Sequence, residues 1–120
     1  MTAALLDDTF HALSHQVRRD MLRRLSEHAF RVTDLAALYP ELSLNAVSKH
    51  VKVLERAKLV DRRKDGRIHN LNLDPAPLRE ASEELAFFRR FWERQLDSLA
   101  NFLESTEPTD KQTKKPIDTP

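Results

Sequence analysis

The sequence predicts a mainly α-helical domain that carries one small β-hairpin. Three observations support this prediction. Apolar residues recur at the three- and four-residue spacing of amphipathic helices through most of residues 5–57, and the same spacing returns over about 77–104. Between these stretches, two short runs of alternating apolar and polar residues are joined by Asp65-Gly66, a strong hairpin signal. A chain of 120 residues has room for one such domain.

The composition excludes several classes of function. The chain has no cysteine, which excludes a disulfide scaffold, thiolate catalysis and any metal site that needs sulfur. Its single glycine excludes a glycine-rich phosphate loop. No apolar run is long enough to cross a bilayer, and the first residues lack the basic stretch of a secretory signal. No nucleophile–base signature or complete metal-ligand set is visible, so we expect no enzyme and no cofactor.

Three helices are predicted before residue 40. The first covers residues 5–15, and the second covers about 16–28, with apolar residues inward and arginines outward. The outward arginines are Arg18, Arg19, Arg23 and Arg24. A solvated helix face is the simplest interpretation of most of this cluster, and contact with flanking phosphate is the alternative. A short third helix begins around Arg31 and stops near Tyr39, because Pro40 disfavours helical geometry in the residue before it.

A fourth helix and the hairpin follow in the middle of the chain. Ser43 is a good N-cap for a helix over about 44–57. The apolar stripe of this helix consists of Val47, Val51 and Leu54. The hairpin spans about 59–73, and Gly66 supplies the positive φ that a tight turn needs. This order of elements is the layout of a winged helix-turn-helix, with the hairpin as the wing.

The last helix, over about 77–104, carries a sustained apolar seam. The seam has too much apolar area to leave in water, and the first helix is its natural partner. We therefore expect a two-fold dimer interface made by the first and last helices of both chains. The expected interface residues are Leu6, Phe10, Leu13, Phe88, Phe91, Trp92, Leu96 and Leu99. A ligand pocket along the seam is the alternative. Residues 1–104 form the predicted domain, and residues 105–120, which hold three of the six prolines, form a predicted disordered polar tail.

Positive charge is concentrated in the middle of the chain. Residues 16–69 contain 13 lysines and arginines against 7 acidic residues, whereas the remainder contains 7 against 12. A basic middle favours a polyanionic partner, and the fold points to double-stranded DNA with the helix at about 43–57 in the major groove. Short polar side chains suit base edges, and cations on this helix and on the wing suit phosphates or a narrow minor groove. The expected DNA contacts are Ser43, Asn45, Ser48, Lys49, His50, Lys52, Arg56, Arg63, Lys64 and Arg67. For His50, a buried structural role is an equal alternative.

Two segments of the sequence resemble ArsR-type (arsenic-repressor-like) bacterial transcription regulators. Residues 46–60, Ala-Val-Ser-Lys-His-Val-Lys-Val-Leu-Glu-Arg-Ala-Lys-Leu-Val, resemble the recognition helix of that family. Residues 10–25, Phe-His-Ala-Leu-Ser-His-Gln-Val-Arg-Arg-Asp-Met-Leu-Arg-Arg-Leu, resemble its opening helices, and the resemblance covers about 5–104. It implies a dimeric cytoplasmic repressor that binds an imperfect inverted repeat and leaves the DNA when an inducer binds. The residues do not identify a small-molecule inducer.

The sequence departs from this family where its metal sensors carry their ligands. Residues 33–38, where thiol-based sensors have paired cysteines, contain none, and residues 77–104 contain no histidine for a zinc site. We therefore expect no metal. His11 and His15 have the spacing of a zinc-ligand pair, but an interfacial or capping pair is the more economical interpretation. Lys58 stands where relatives often have glycine, and we expect it to adopt a left-handed conformation at a cost of ~1 kcal/mol.

The alternative function is a protein-interaction module on the same scaffold, without specific DNA binding. Such a module would need an apolar or acidic surface on the fourth helix. The polar face of that helix is cationic instead, which favours DNA.

Overall fold

The structure, a computed structural model, describes residues 3–106. Its elements follow the order α1 (Ala3–Leu13), α2 (Gln16–Leu25), β1 (Phe30–Arg31), α3 (Val32–Ala37), α4 (Leu44–Arg56), β2 (Val60–Asp65), β3 (Ile68–Leu73) and α5 (Ala76–Thr106). The predicted class, mainly helical with a small β element, is confirmed. The chain forms two compact units that divide within α5, one ending at Glu83 and the other beginning at Glu84.

The core of the first unit is built from the inward faces of α2, α3, α4 and the sheet. The predicted stripe of α4 is confirmed, because Val47, Val51 and Leu54 are each at most 1% exposed. The other buried apolar residues are Ala12, Met21, Leu22, Leu25, Leu35, Tyr39, Ala57, Leu59, Val60 and Leu71. These residues fix one face of α4 in the core and leave its opposite face available to a partner.

The β element is a three-stranded antiparallel sheet, in the order β1-β3-β2, and not the isolated hairpin that the sequence predicts. Strand β1 pairs with the middle of β3, Phe30 opposite Leu71 and Arg31 opposite Asn70. A strand of two residues is too short to show an alternating pattern, and the sequence places Arg31 at the start of a helix instead. The extra strand makes β3 the central strand of the sheet.

The first two helices end earlier than predicted, and serine hydroxyls account for it. Helix α1 ends at Leu13 and α2 at Leu25, rather than at residues 15 and 28. The hydroxyl of Ser14 donates to the carbonyl of His11 at 2.6 Å, and that of Ser26 donates to the carbonyl of Arg23 at 2.6 Å. Each hydroxyl occupies a carbonyl of the last turn, which competes with continuation of the helix.

Both ends of α4 are closed by specific hydrogen bonds. At the start, the Ser43 hydroxyl accepts from the amide of Ala46 at 3.0 Å, so the predicted N-cap is confirmed. At the end, the amide of Lys58 donates to the carbonyl of Glu55, and the amide of Leu59 donates to the carbonyl of Leu54, both at 3.0 Å. This pair of bonds is a Schellman motif, which requires the left-handed conformation that Lys58 adopts with φ 65°.

The hairpin pairs in full register, from Val60 opposite Leu73 to Asp65 opposite Ile68. The two residues of its turn are therefore Gly66 and Arg67, one position later than the predicted Asp65-Gly66 junction. Gly66 has φ +65°, and no positive φ occurs at Arg67. A positive φ at the first position alone is typical of a type II′ turn, which needs glycine there.

Helix α5 has a packed beginning and a long exposed continuation. Pro77 and Ala81 are buried within the first unit. From Glu84 onward all described residues except Ala86 are exposed, including nine large apolar side chains. The helix continues to Thr106, two residues past the predicted end, and the rest of the predicted tail (107–120) lies outside the described residues. No helix in the described part of the chain is long and apolar enough to cross a membrane.

Candidate nucleic-acid interface

The outer face of α4 presents cations that have no partner among residues 3–106. Lys49, Lys52 and Arg56 are exposed, and their side chains make no hydrogen bond or ion pair with residues 3–106. Asn45 is also exposed, and Ser48 is half-buried on the same helix. Because the opposite stripe of α4 is fixed in the core, these side chains are held outward as a group. Unpaired cations beside short polar side chains match the needs of a surface that binds phosphates and reads base edges.

The wing adds three of the predicted DNA contacts beyond α4. Arg63, Lys64 and Arg67 are all exposed on β2 and the turn. Arg63 lies 3.3 Å from the carboxylate of Asp61, and both side chains are mostly in solvent, so this ion pair is weak. Lys64 and Arg67 have no side-chain partner in the described chain. The two-residue turn therefore leaves cations exposed at the tip of the wing.

A half-buried arginine joins the wing to α4. Arg62 donates to both carboxylate oxygens of Glu55, at 2.9 and 3.0 Å, and shares a 3.0 Å hydrogen bond with Nδ1 of His69. The hydrogen bonds to Glu55 raise the pKa of the Arg62 guanidinium. Sequence analysis missed this network. The alternation of β2 was its only signal, since it places Arg62 on the same face as buried Val60.

An open cleft of about 600 Å³ lies between α4 and the wing. Its lining residues are Ser48, Lys52, Glu55, Lys58, Val60, Asp61, Arg62, Lys64 and His69. The residues Ser48, Lys52 and Glu55 come from one face of α4, at spacings of four and three. The cleft is therefore continuous with the cationic face of the helix.

His50 is held by contacts within the protein. Its Nδ1 lies 3.1 Å from Nη1 of Arg18, and its ring centroid lies 4.5 Å from that of His15. Since arginine can only donate, Nδ1 of His50 is the acceptor, and the ring is neutral in this arrangement. Burial, and then the nearby charges of His15 and Arg18, lower the pKa of His50. These contacts give His50 the structural role that the sequence left open beside the predicted DNA contact.

Two of the four arginines of α2 depart from the solvated face that the sequence favours for most of the cluster, since Arg18 is buried and Arg24 is half-buried. Arg18 is only 7% exposed and donates to the carbonyls of Ala12 and His11, at 2.9 and 3.0 Å. Arg19 donates to the carbonyl of Leu13 at 2.8 Å. The two guanidinium groups thus donate to carbonyls in the last turn of α1, where helical carbonyls lack the usual amide donors of a following turn. Arg23 remains exposed, as predicted.

Arg24 belongs to a second hydrogen-bond network, which it forms with Asp20 and Tyr39. It donates to the carboxylate of Asp20 at 2.9 Å, and the Tyr39 hydroxyl donates to the same oxygen at 2.6 Å. These bonds lower the pKa of Asp20, and burial together with the bond to Asp20 raises the pKa of Tyr39 to about 12. The network joins α2 to Tyr39, two residues past the end of α3.

One of the two paired histidines, His15, has a capping role. Nδ1 of His15 accepts from the amide of Val17 at 3.1 Å and forms the N-cap of α2. No group of three or more potential metal-ligating side chains occurs among residues 3–106.

The fold and this surface define the class of protein: a helix-turn-helix followed by a wing, with unpaired cations on the helix and wing. A family model described as a helix-turn-helix domain matches residues 13–63. The HTH-type transcriptional regulator Rv2034 of Mycobacterium tuberculosis (strain ATCC 25618 / H37Rv) is 36% identical over 99 residues, which are 82% of this chain and 89% of that protein.

Solved structures agree with the sequence match. A crystal structure of an ArsR family transcriptional regulator superposes with a TM-score of 0.71 at 28% identity, over 78% of this chain and 95% of the other. An ArsR-like regulator from Rhodococcus sp. RHA1 gives 0.66 at 28% identity, over 82% and 92%. The chain belongs to the ArsR-type helix-turn-helix transcriptional regulators. It is a DNA-binding regulator of transcription and not an enzyme, as the sequence predicts.

Proposed function

We propose that the protein is a homodimeric repressor that binds an inverted-repeat operator, with α4 in the major groove and the wing on the minor groove. The observation that carries the proposal is the set of cations without partners on one helix face and one wing tip. On a protein surface that serves only solubility, acidic side chains would be interspersed among most of the exposed cations. Here the only acidic residue of α4, Glu55, is already bound by Arg62.

The DNA contacts divide by chemistry. We assign base-edge contacts to Ser43, Asn45 and Ser48, because short polar side chains reach the floor of the major groove. We assign phosphate contacts on α4 to Lys49, Lys52 and Arg56. On the wing the cations are Arg63, Lys64 and Arg67. His50 contributes through the free edge of a ring whose other nitrogen is bound by Arg18.

The exposed part of α5 supports dimer formation. Large apolar side chains there are about half exposed, from Leu96 at 47% to Trp92 at 61%. In the first unit, Leu6, Phe10 and Leu13 of α1 are only half-buried, and they are the other side chains of the expected interface. A second copy of the chain is the partner that buries these faces by two-fold symmetry and supplies a second α4 for the other half of an inverted repeat. A regulator of this kind acts in the cytoplasm, where its operator is accessible, and an inducer would release it.

The test is fluorescence anisotropy on duplex DNA from the chain's own upstream region, with scrambled DNA as competitor, at three or more salt concentrations. We expect binding that survives the competitor and weakens with salt. Each phosphate contact adds roughly 0.9 to the log–log slope, so Lys49→Gln with Lys52→Gln lowers the slope by about 1.8. The matched control is Arg94→Gln. Arg94 is an exposed cation of α5 that is not among the predicted DNA contacts.

Three outcomes decide the proposal. Specific binding with the reduced slope in the double variant supports it. An unchanged slope means that the DNA face lies elsewhere on the molecule. Equal, weak binding to both DNAs contradicts a specific operator in that region. It would favour the alternative function, a protein-interaction module.

A further inference from the structure

Lys58 occupies a backbone position that glycine would fill without strain. Its φ of 65° is the only positive φ at a non-glycine residue in the described chain. The Schellman motif at the end of α4 uses the amide of Lys58 and the packing of Leu59, which is fully buried, against Leu54. The lysine side chain takes no part in this motif. Its Cβ nevertheless makes the left-handed conformation unfavourable, so the motif alone does not account for a lysine here.

The Lys58 side chain projects from the junction between α4 and the wing, where other lysines converge. It is exposed and makes no hydrogen bond or ion pair within residues 3–106. Together with Lys52 and Lys64, it lines the 600 Å³ cleft. Three lysines, from the helix, the junction and the wing, thus line one open space.

The acidic residues of the cleft do not cancel its positive charge. Glu55 holds Arg62 through both carboxylate oxygens, and exposed Asp61 makes only a weak 3.3 Å contact with the guanidinium of Arg63. The lining holds four cations, Lys52, Lys58, Arg62 and Lys64, against these two carboxylates, so the cleft keeps a net positive charge. A concave surface with uncompensated positive charge concentrates an anion.

We propose that this cleft receives a phosphate of the DNA backbone where the strand passes between α4 and the wing, and that Lys58 is a phosphate contact. The inference rests on the proposed DNA binding and extends it to a residue outside the recognition helix and the wing. In this proposal, the ammonium group of Lys58 contacts the phosphate, which accounts for a lysine at a strained backbone position. Stability and DNA affinity therefore make opposite demands on this position.

The test measures both quantities on the same variants. Lys58→Gly relieves the strain and removes the charge, and we expect Tm to rise by about 4 °C. For a mixed-sequence 30-base-pair duplex, we expect the salt slope to fall by roughly 0.9 and Kd near 0.15 M salt to rise about fivefold. The loss applies equally to upstream and scrambled DNA, since a phosphate contact carries no sequence information.

Two companion variants separate charge from backbone. Lys58→Asn removes the charge and keeps a residue that tolerates φ > 0, so it should lower the slope as Lys58→Gly does. Lys58→Arg keeps both the charge and the strain and should keep the wild-type slope. Arg94→Gln is again the control cation. Inorganic phosphate up to 10 mM serves as a competitor, and displacement of DNA beyond the effect of matched ionic strength would assign the cleft to the free anion instead.

The outcomes are distinguishable. A higher Tm with an unchanged slope in Lys58→Gly overturns the inference while wild-type DNA binding stands. A reduced slope in Lys58→Arg as well would show that shape, and not charge, matters at this position, which also overturns it. Wild-type protein that binds neither duplex overturns the inference and the proposed function together.

Discussion

Arg18 shows how one buried cation can organise three helices. Its guanidinium donates to two carbonyls at the end of α1 and to His50 in α4, while its backbone belongs to α2. The residue is 7% exposed, its bond to the Ala12 carbonyl is buried, and its bonds to His11 and His50 are partly buried. Burial lowers the pKa of Arg18, but an arginine remains charged in proteins. The recognition helix is therefore connected to the first helix by hydrogen bonds as well as by apolar packing.

Removal of this side chain is expected to be costly. We expect Arg18→Ala to lower the free energy of unfolding by about 2–4 kcal/mol, because two carbonyls and one ring nitrogen lose a charged donor inside the fold. Arg19→Ala is the matched control. Arg19 makes a single exposed hydrogen bond, to the carbonyl of Leu13, and its loss should change stability by less than about 1 kcal/mol. Urea unfolding at fixed protein concentration measures both, and equal effects would contradict the structural role of Arg18.

His50 makes stability depend on pH. Its pKa in the folded protein is lowered by burial and by the charges of His15 and Arg18, relative to an ordinary value of 6.5. As the pH falls below 6.5, the unfolded chain takes up this proton first, so the folded state loses stability. The stabilisation that neutral His50 contributes is fully present above pH 6.5 and is lost as the pH falls through the lowered pKa of His50. The lowered pKa of Asp20 acts only at more acidic pH, below its usual value of 3.8.

The measurement compares unfolding at pH 7.5 and 5.5. We expect His50→Gln to reduce the loss of stability between these two values, because glutamine can still accept from Arg18 but does not titrate. His11→Gln is the control, since His11 is exposed and only its backbone carbonyl is used. If His50→Gln keeps the full pH dependence, another group is responsible.

At the scale of elements, α4 depends on its caps. We expect Ser43→Ala to lower stability by about 1 kcal/mol, because the amide of Ala46 loses its acceptor. Ser43→Asp keeps an acceptor there and should keep the stability. The same variant places a negative charge at the predicted DNA face, so its affinity for DNA should fall. If the Ser43→Asp protein is stable and its affinity for DNA is unchanged, Ser43 does not contact DNA.

The wing and α4 are coupled through Arg62 and Glu55. In a double-mutant cycle with Glu55→Gln and Arg62→Met, we expect a coupling of about 1 kcal/mol, since the pair is bidentate and its side chains are only 28% and 19% exposed. The exposed pair of Asp61 and Arg63, at 60% and 77%, provides the control and should couple by less than about 0.5 kcal/mol. Similar couplings in the two cycles would mean that the wing is not held by Arg62.

At the scale of the whole molecule, the apolar surface of α5 predicts the assembly state. We expect wild-type protein to be a dimer and Leu96→Glu to be a monomer, because a carboxylate cannot be buried in an apolar interface without a partner. Asn101→Glu introduces the same side chain on the polar side of the helix, one turn from Asp97 and from Glu104, and should remain a dimer. Light scattering after size-exclusion chromatography measures the mass. Monomeric wild-type protein would refute the proposed interface.

Periodicity and end signals determined much of the fold. The buried stripe of α4, the Ser43 cap, the left-handed Lys58 and the wing were all predicted from sequence. These features are local, since each is set by residues within a few positions of one another. The family could also be recognised from sequence, because the motif of the recognition helix is a contiguous segment.

Only the tertiary structure decided which polar side chains are partners. Arg18 resembles its neighbouring arginines in sequence, yet its bonds reach His50, 32 residues away. Arg62 looks like any wing cation until β2 brings it against Glu55. The two residues of β1 pair with β3 about forty positions later, and no local sequence pattern predicts that pairing. Sequence fixes the faces of helices and strands because burial follows a period, whereas hydrogen bonds between distant side chains depend on how those faces meet.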